Sequence, residues 1–213
     1  MRAMTLFLLA LFALAAHADA RLQSALDAYA RGDFAAARAG FERLSREGVP
    51  AADYNLAVMH LRGERRDANM AEAVRLMTRA ADAGFVTAMV GLGELYERGG
   101  SGLKPDLVLS VQWFRRGAEA GSVEAQLAVA TAHYLGRGAP LDKAQAARWY
   151  RLAAQSGDAG AMYLYASMVE TGDGVERNLD EARYWFAAAA RNGEPGAAEK
   201  AKSLEPRPGQ PSS

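Results

Sequence analysis

The sequence predicts an all-α fold, a solenoid of stacked two-helix units, and three observations carry that prediction. The segment 142–161, DKAQAARWYRLAAQSGDAGA, recurs at 178–197, at 106–125 and, more degenerately, at 69–88. The alanines Ala52, Ala88, Ala125, Ala161 and Ala197 are separated by 36, 37, 36 and 36 residues, a period that belongs to helical hairpins stacked in one dimension. All three tryptophans, Trp113, Trp149 and Trp185, fall at one repeat position. That is how a structural repeat spends its largest side chain.

Residues 1–20 read as an export signal rather than as part of the fold. Arg2 supplies a positive start, residues 4–16 are uncharged and mostly apolar, and Ala16-His17-Ala18 is an A-x-A cleavage site. Ala18-Asp19-Ala20 fits almost as well, so cleavage is expected after residue 18 or 20. An apolar run of 13 residues falls short of the ~20 that span a bilayer. No cysteine follows it to take a lipid. The expectation is a periplasmic or secreted protein with no stable membrane insertion.

Residues 21–51 form the first hairpin. Leu22, Ala25, Leu26 and Tyr29 keep helical spacing, Gly32-Asp33 breaks the helix, and Ala37, Phe41 and Leu44 share one face of the next. Its terminal Gly48 is in register with Gly84, Gly121, Gly157 and Gly193. Four repeats follow at 52–87, 88–124, 125–160 and 161–197. In each, the opening alanine is followed four residues on by Leu56, Leu92, Val129 or Tyr165. The next residue is always small: Ala57, Gly93, Ala130 or Ala166. Steps of four hold these on one helical face, and the small residue admits a close partner helix.

The first helix of each repeat is expected to stop at Gly63, Gly99, Gly136 or Gly172. The second is announced by Asn69, Asp106, Asp142 or Asn178, which are good N-caps. Glu72, Gln145 and Glu181 stand three residues further on, the pattern of a capping box. The second helices carry the pairs Leu76-Met77, Trp113-Phe114, Trp149-Tyr150 and Trp185-Phe186, with the tryptophans expected in the core between repeats. Residues 198–213 read as a short capping helix and a loose polar tail.

The composite pattern, with its paired loop glycines and the tryptophan, resembles the Sel1-like repeat, a tetratricopeptide-like helical hairpin. Gly136, Gly138, Trp149 and Gly157, and Gly172, Gly174, Trp185 and Gly193, carry the resemblance best. The first copy departs from it, with Arg65 at the second loop glycine and no tryptophan. The first hairpin looks like a tetratricopeptide unit serving as an N-terminal cap. The resemblance implies a right-handed solenoid that acts as an adaptor or scaffold, and exported bacterial members look like envelope proteins.

Charge and chemistry narrow the function further. Lys and Arg equal Asp and Glu at 25 each, so no nucleic-acid surface is expected. The chain has no cysteine, which leaves no disulfide, thiol nucleophile or thiolate metal site. His60 and His133 occupy the repeat position of Tyr96 and Val169, so they read as helix-packing residues rather than a base or a metal pair. Gly99-Gly100-Ser101-Gly102 lacks the Lys-Ser/Thr of a phosphate loop. No catalytic residue, metal site or cofactor is expected. The predicted work is binding another protein, an envelope protein or peptide segment, with a cell-envelope hydrolase or a self-associating spacer as the alternatives. By analogy with tetratricopeptide arrays the first helices line the concave face. Residues off their core stripe then form the expected binding surface: Tyr54, Asn55, Arg62, Glu94, Arg98, Thr131, Tyr134, Tyr163 and Glu170.

Overall fold

The computed structural model describes residues 19–100 and 102–205; the expected signal peptide to residue 18 and the tail from 206 lie outside them. Eleven helices run through the described residues. They are α1 (19–30), α2 (Phe34–Arg46), α3 (Pro50–Leu61), α4 (Met70–Asp82), α5 (Val86–Arg98), α6 (Leu107–Glu119), α7 (Val123–Leu135), α8 (Lys143–Gln155), α9 (Ala159–Thr171), α10 (Leu179–Arg191) and α11 (Ala197–Ser203). They fall into two compact units. One holds α1 to α4 and α5 as far as Leu92, together with residues 100–103; the other holds residues 93–99 and everything from Lys104.

The first helix of each repeat starts two residues before the alanine that marks the period. Asp158 caps α9 through Ala161 N and Ser122 caps α7 through Ala125 N, while Pro50 takes the first position of α3, where its missing N–H costs nothing. The alanines thus sit inside the first turn, fully buried. Gly93 shows why a small residue follows the core leucine: a Cβ there would lie 2.7 Å from the Phe114 ring.

The second helices use the predicted N-caps, each accepting from the N–H three residues on. The other half of the capping box is absent. Instead of meeting Glu72, Gln145 or Glu181, the N-cap's own N–H reaches back to the preceding helix. Asp106 N donates to Tyr96 O at 2.8 Å, Asp142 N to His133 O at 2.9 Å and Asn178 N to Val169 O at 3.1 Å. In the degenerate first repeat Asn69 N meets His60 Nδ1 at 3.3 Å instead. Glu181 is diverted to accept from Tyr165 Oη, 3.0 Å away, and Glu72 pairs with Arg75.

The loop glycines are held by space as well as by backbone angle. Gly174 has φ +77, and a Cβ there would stand 2.4 Å from the Lys143 carbonyl carbon; Gly138, at φ +73, would meet Leu107 O at 2.3 Å. Each of these loops therefore leans on the first turn of the previous repeat's second helix.

The tryptophans depart from expectation. Trp113, Trp149 and Trp185 are all half-buried, whereas the aromatic residue after each is in the core: Phe114 6%, Tyr150 4% and Phe186 0% exposed. One residue along a helix is ~100° of rotation, enough to turn the indole to the rim. There Trp149 and Trp185 cover the edge of the core cluster around Tyr165 and Phe186, and Arg116 stacks over Trp113 at 4.4 Å. In the first unit a buried acid ties three helices together. Asp53, 3% exposed, accepts from Nε and Nη2 of Arg79, and the same Nη2 also donates to Ser45 Oγ at 2.6 Å.

Two stability predictions follow from these placements. Gly174→Ala should destabilise by at least ~2 kcal/mol more than Gly193→Ala, since Gly193 has a positive φ but nothing within 4 Å of its would-be Cβ. Urea unfolding compares the two, and equal losses would mean the loop does not press on Lys143. Phe186→Ala should cost ~3–5 kcal/mol as a full core truncation, and Trp185→Ala clearly less. A larger loss at Trp185 would restore the tryptophans to the core.

Candidate functional site

The nine residues expected on the binding face are divided between the two units, Tyr54, Asn55 and Arg62 in the first and the other six in the second. In the first unit Tyr54 is half-buried against Phe85, ring centres 5.5 Å apart. Asn55 bonds its own helix at Ala51 O. Arg62 donates to Tyr29 Oη at 3.0 Å, and that hydroxyl donates in turn to Glu64. Tyr54 and Arg62 therefore join separate segments of the unit, while Asn55 is occupied within its own helix.

In the second unit Arg98 pairs with Glu94 within α5 at 2.7 Å. Glu94 also faces Glu124, whose carboxyl is pushed above its usual range by burial and then by Glu94's charge. Tyr163 packs edge-on against Phe186, centroids 5.1 Å apart. Glu170 accepts from Lys200 of α11 at 2.9 Å. Thr131 and Tyr134 behave differently, because each lines an open groove.

The larger groove, about 590 Å³, lies between α7 and α9 over α8, lined by Tyr134, Tyr150, Leu164, Ser167, Thr171 and Asp173 among others. Its walls are hydroxyl-rich and amphipathic. Tyr134 Oη donates to Asp173 Oδ2 at 3.3 Å, and Lys143 Nζ bonds Asp173 at 2.8 Å while standing 5.5 Å from the Tyr134 ring centre. Asp173 raises the Lys143 ammonium above its usual range. Tyr150 Oη and Thr131 Oγ1 share a hydrogen bond of 3.0 Å. Leu164 projects at 42% exposure, an apolar side chain left over water.

A second groove, about 250 Å³, lies between the end of α5 and α7 over α6. Glu97, Phe114, Ala128, Thr131, Leu135 and Arg137 are among its walls. The two grooves are the same place in successive repeats. Glu97 becomes Tyr134 after 37 residues; Phe114, Ala128, Thr131, Leu135 and Arg137 become Tyr150, Leu164, Ser167, Thr171 and Asp173 after 36. Sequence reasoning missed Glu97, Leu164, Ser167, Thr171 and Asp173. Their signal was the repeat offset itself, which carries each wall position of one groove onto a wall position of the next.

His60 and His133 are each 6% exposed and spoken for. His133 Nδ1 faces Pro140 O at 3.1 Å and its Nε2 faces Arg115 at 3.3 Å. A carbonyl only accepts and a guanidinium only donates, so these partners select the Nδ1–H tautomer. His60 accepts from Asn69 N, and burial, followed by the charge of Arg65, lowers its pKa from 6.5. Among the described residues no three His, Asp or Glu side chains gather as metal ligands would.

The Sel1 repeat model matches residues 50–85, 86–122, 123–158 and 159–194. The chain belongs to the Sel1 repeat family. Each matched repeat begins where its first helix begins, so the repeat frame is set by the helix starts rather than by the marker alanines two residues later. A Sel1 repeat protein from Oxalobacter formigenes, known from its crystal structure, is 28% identical over 76% of this chain and 67% of that one, with a TM-score of 0.65. A protective antigen of uropathogenic Escherichia coli with the same repeat fold is 24% identical, over 86% of this chain and 48% of that one, at a TM-score of 0.46. No curated protein matches the chain. Sel1 repeats generally mediate protein–protein interaction, and that reading extends to this family member.

His60 yields a pH prediction. Burial, followed by the charge of Arg65, sets its folded pKa below 6.5, and the neutral ring is the form that accepts from Asn69. On acidification the unfolded ring takes a proton first; stability is therefore full above 6.5 and falls as pH drops toward the folded value. His60→Asn keeps an acceptor and removes the titration. Melting temperatures between pH 7.5 and 5 should show a shallower acid loss in this variant than in the unsubstituted chain, and identical slopes would remove His60 from the explanation.

Proposed function

We propose that this Sel1 repeat protein is a non-catalytic adaptor of the bacterial cell envelope, which receives a segment of a partner protein in the grooves between its successive first helices. The observation that carries the reading is the pair of grooves in the second unit, in repeat register and on the first-helix side. An extended or helical segment laid across successive repeats meets the same kind of recess at each step, and different side chains in each recess supply specificity. Tyr134, Tyr150 and Leu164 give apolar and aromatic anchorage, with Ser167, Thr171 and Asp173 as polar partners beside them, the mixture expected of an interaction hot spot. The export signal read at residues 1–20 supports the envelope as the place of work, and the near-neutral charge of the chain suits a protein partner better than a polyanion.

The experiment is site-directed photo-crosslinking of the full chain in the producing bacterium's envelope fraction. A crosslinker at Leu164 or Ser167 should join one defined partner band, and one at the exposed second-helix position Leu152 should not. The captured chain should begin at residue 19 or 21 by intact mass. Crosslinks from Leu152 alone would put the binding face on the second helices, and a product retaining Met1 would refute export with cleavage.

A further inference from the structure

We propose that the groove between α5 and α7 is a receptor for a lysine side chain of the partner protein, its ammonium on Glu97 and its stem along Phe114. The inference rests on the adaptor reading above and names the chemistry that one of its grooves selects. That groove has two equivalents in the same chain.

The third equivalent lies at the C-terminal end. Ala197 stands 36 residues after Ala161, so α11 takes the register of a further first helix, and Glu170, Phe186 and Lys200 occupy the places of Tyr134, Tyr150 and Leu164. There the chain supplies its own ligand. Lys200 Nζ lies 2.9 and 3.1 Å from the two Glu170 carboxylate oxygens and 5.7 Å from the Phe186 ring centre. In the middle groove Lys143 plays a similar part from another position, bonded to Asp173 and set over the Tyr134 ring. An ammonium between a carboxylate and an aromatic face is favoured by charge pairing and by the ring quadrupole together.

In the first groove the acid and the ring recur as Glu97 and Phe114, but both lysine positions are apolar. Leu107 stands where Lys143 stands, and Ala128 where Lys200 stands. Among the described residues no ion pair forms on Glu97, and the 250 Å³ recess opens beside Ala128. The groove has the receptor half of the Lys200 contact without the lysine. Arg137, in the place of Asp173, stands at the same recess. It disfavours a strongly basic segment and favours a lysine with an acidic neighbour.

The chain contains such a segment, Glu199-Lys200, so a capped peptide of residues 197–204, AAEKAKSL, serves as the probe. Titrated into methyl-labelled full chain, it should shift the Leu127 and Leu135 resonances saturably. Glu97→Gln, and separately methionine in place of Lys200 in the peptide, should each weaken binding at least tenfold. Ala128→Lys should abolish it with circular dichroism unchanged, by placing an in-chain lysine on Glu97. Shifts that fail to saturate, or that persist undiminished in Glu97→Gln, overturn the proposal. So does a tenfold gain on Arg137→Ala, which would mean the chain's own arginine is the groove's occupant. If the peptide fails while crosslinks from Leu164 still capture a partner, the lysine assignment is wrong and the adaptor reading stands; loss of both removes both.

Discussion

One backbone hydrogen bond recurs through the second unit and most of its architecture depends on it. The N–H that opens each second helix donates to a carbonyl near the end of the first, from Asp106 to Tyr96, Asp142 to His133 and Asn178 to Val169. An N-cap N–H at a hairpin corner has no partner within its own helix, and this bond supplies one while linking the two helices. It also dictates the loop. To return within reach, the chain turns through left-handed backbone at Gly136 and Gly138 or Gly172 and Gly174, and the second glycine of each pair must lie flat on the previous repeat. Helix pairing and repeat stacking are thus joined at a single corner.

The first repeat shows what the constraint tolerates. Arg65 occupies the place of the second loop glycine, and no left-handed corner pressed on a neighbouring helix is available there. Arg65 instead pairs with Asp67 and Glu42, and the imidazole of His60 replaces the helix carbonyl as acceptor for Asn69. A pH-insensitive backbone contact has been exchanged for one that depends on a neutral ring. The same bond geometry explains why two histidines at one repeat position have different partners: His133 contributes its carbonyl to the corner, which leaves its ring to bridge Pro140 and Arg115.

The grooves are a consequence of this regularity. Stacking brings equivalent residues to equivalent recesses, so a repeat can vary a recess only by what it places at a few boundary positions. The chain uses that freedom widely: hydroxyls and Leu164 in one groove, Glu97 and Arg137 in another, and its own Lys200 closing the last. Residues expected at the surface by spacing alone, Tyr54 and Tyr163 among them, were drawn into packing because a wide tyrosine beside the core stripe finds an aromatic neighbour before it finds water.

The sequence by itself determined the fold class, the period, the N-caps of the second helices and the glycine corners. Each of these is a local matter, set by the chemistry of a few adjacent residues and by helical spacing. Tertiary structure decided what depends on rotation about a helix axis and on contact across repeats. It placed Phe114, Tyr150 and Phe186 in the core and turned the tryptophans beside them to the rim, a difference of one residue that no count of hydrophobic positions resolves. It sent the N-cap N–H groups to a neighbouring helix instead of to Glu72, Gln145 and Glu181, because a backbone donor pairs with the acceptor that packing puts nearest. It also buried Asp53 against Arg79, a pairing 26 residues apart in the chain that leaves no trace in local pattern. The grooves belong to that second category, for they exist only where residues from consecutive repeats stand side by side.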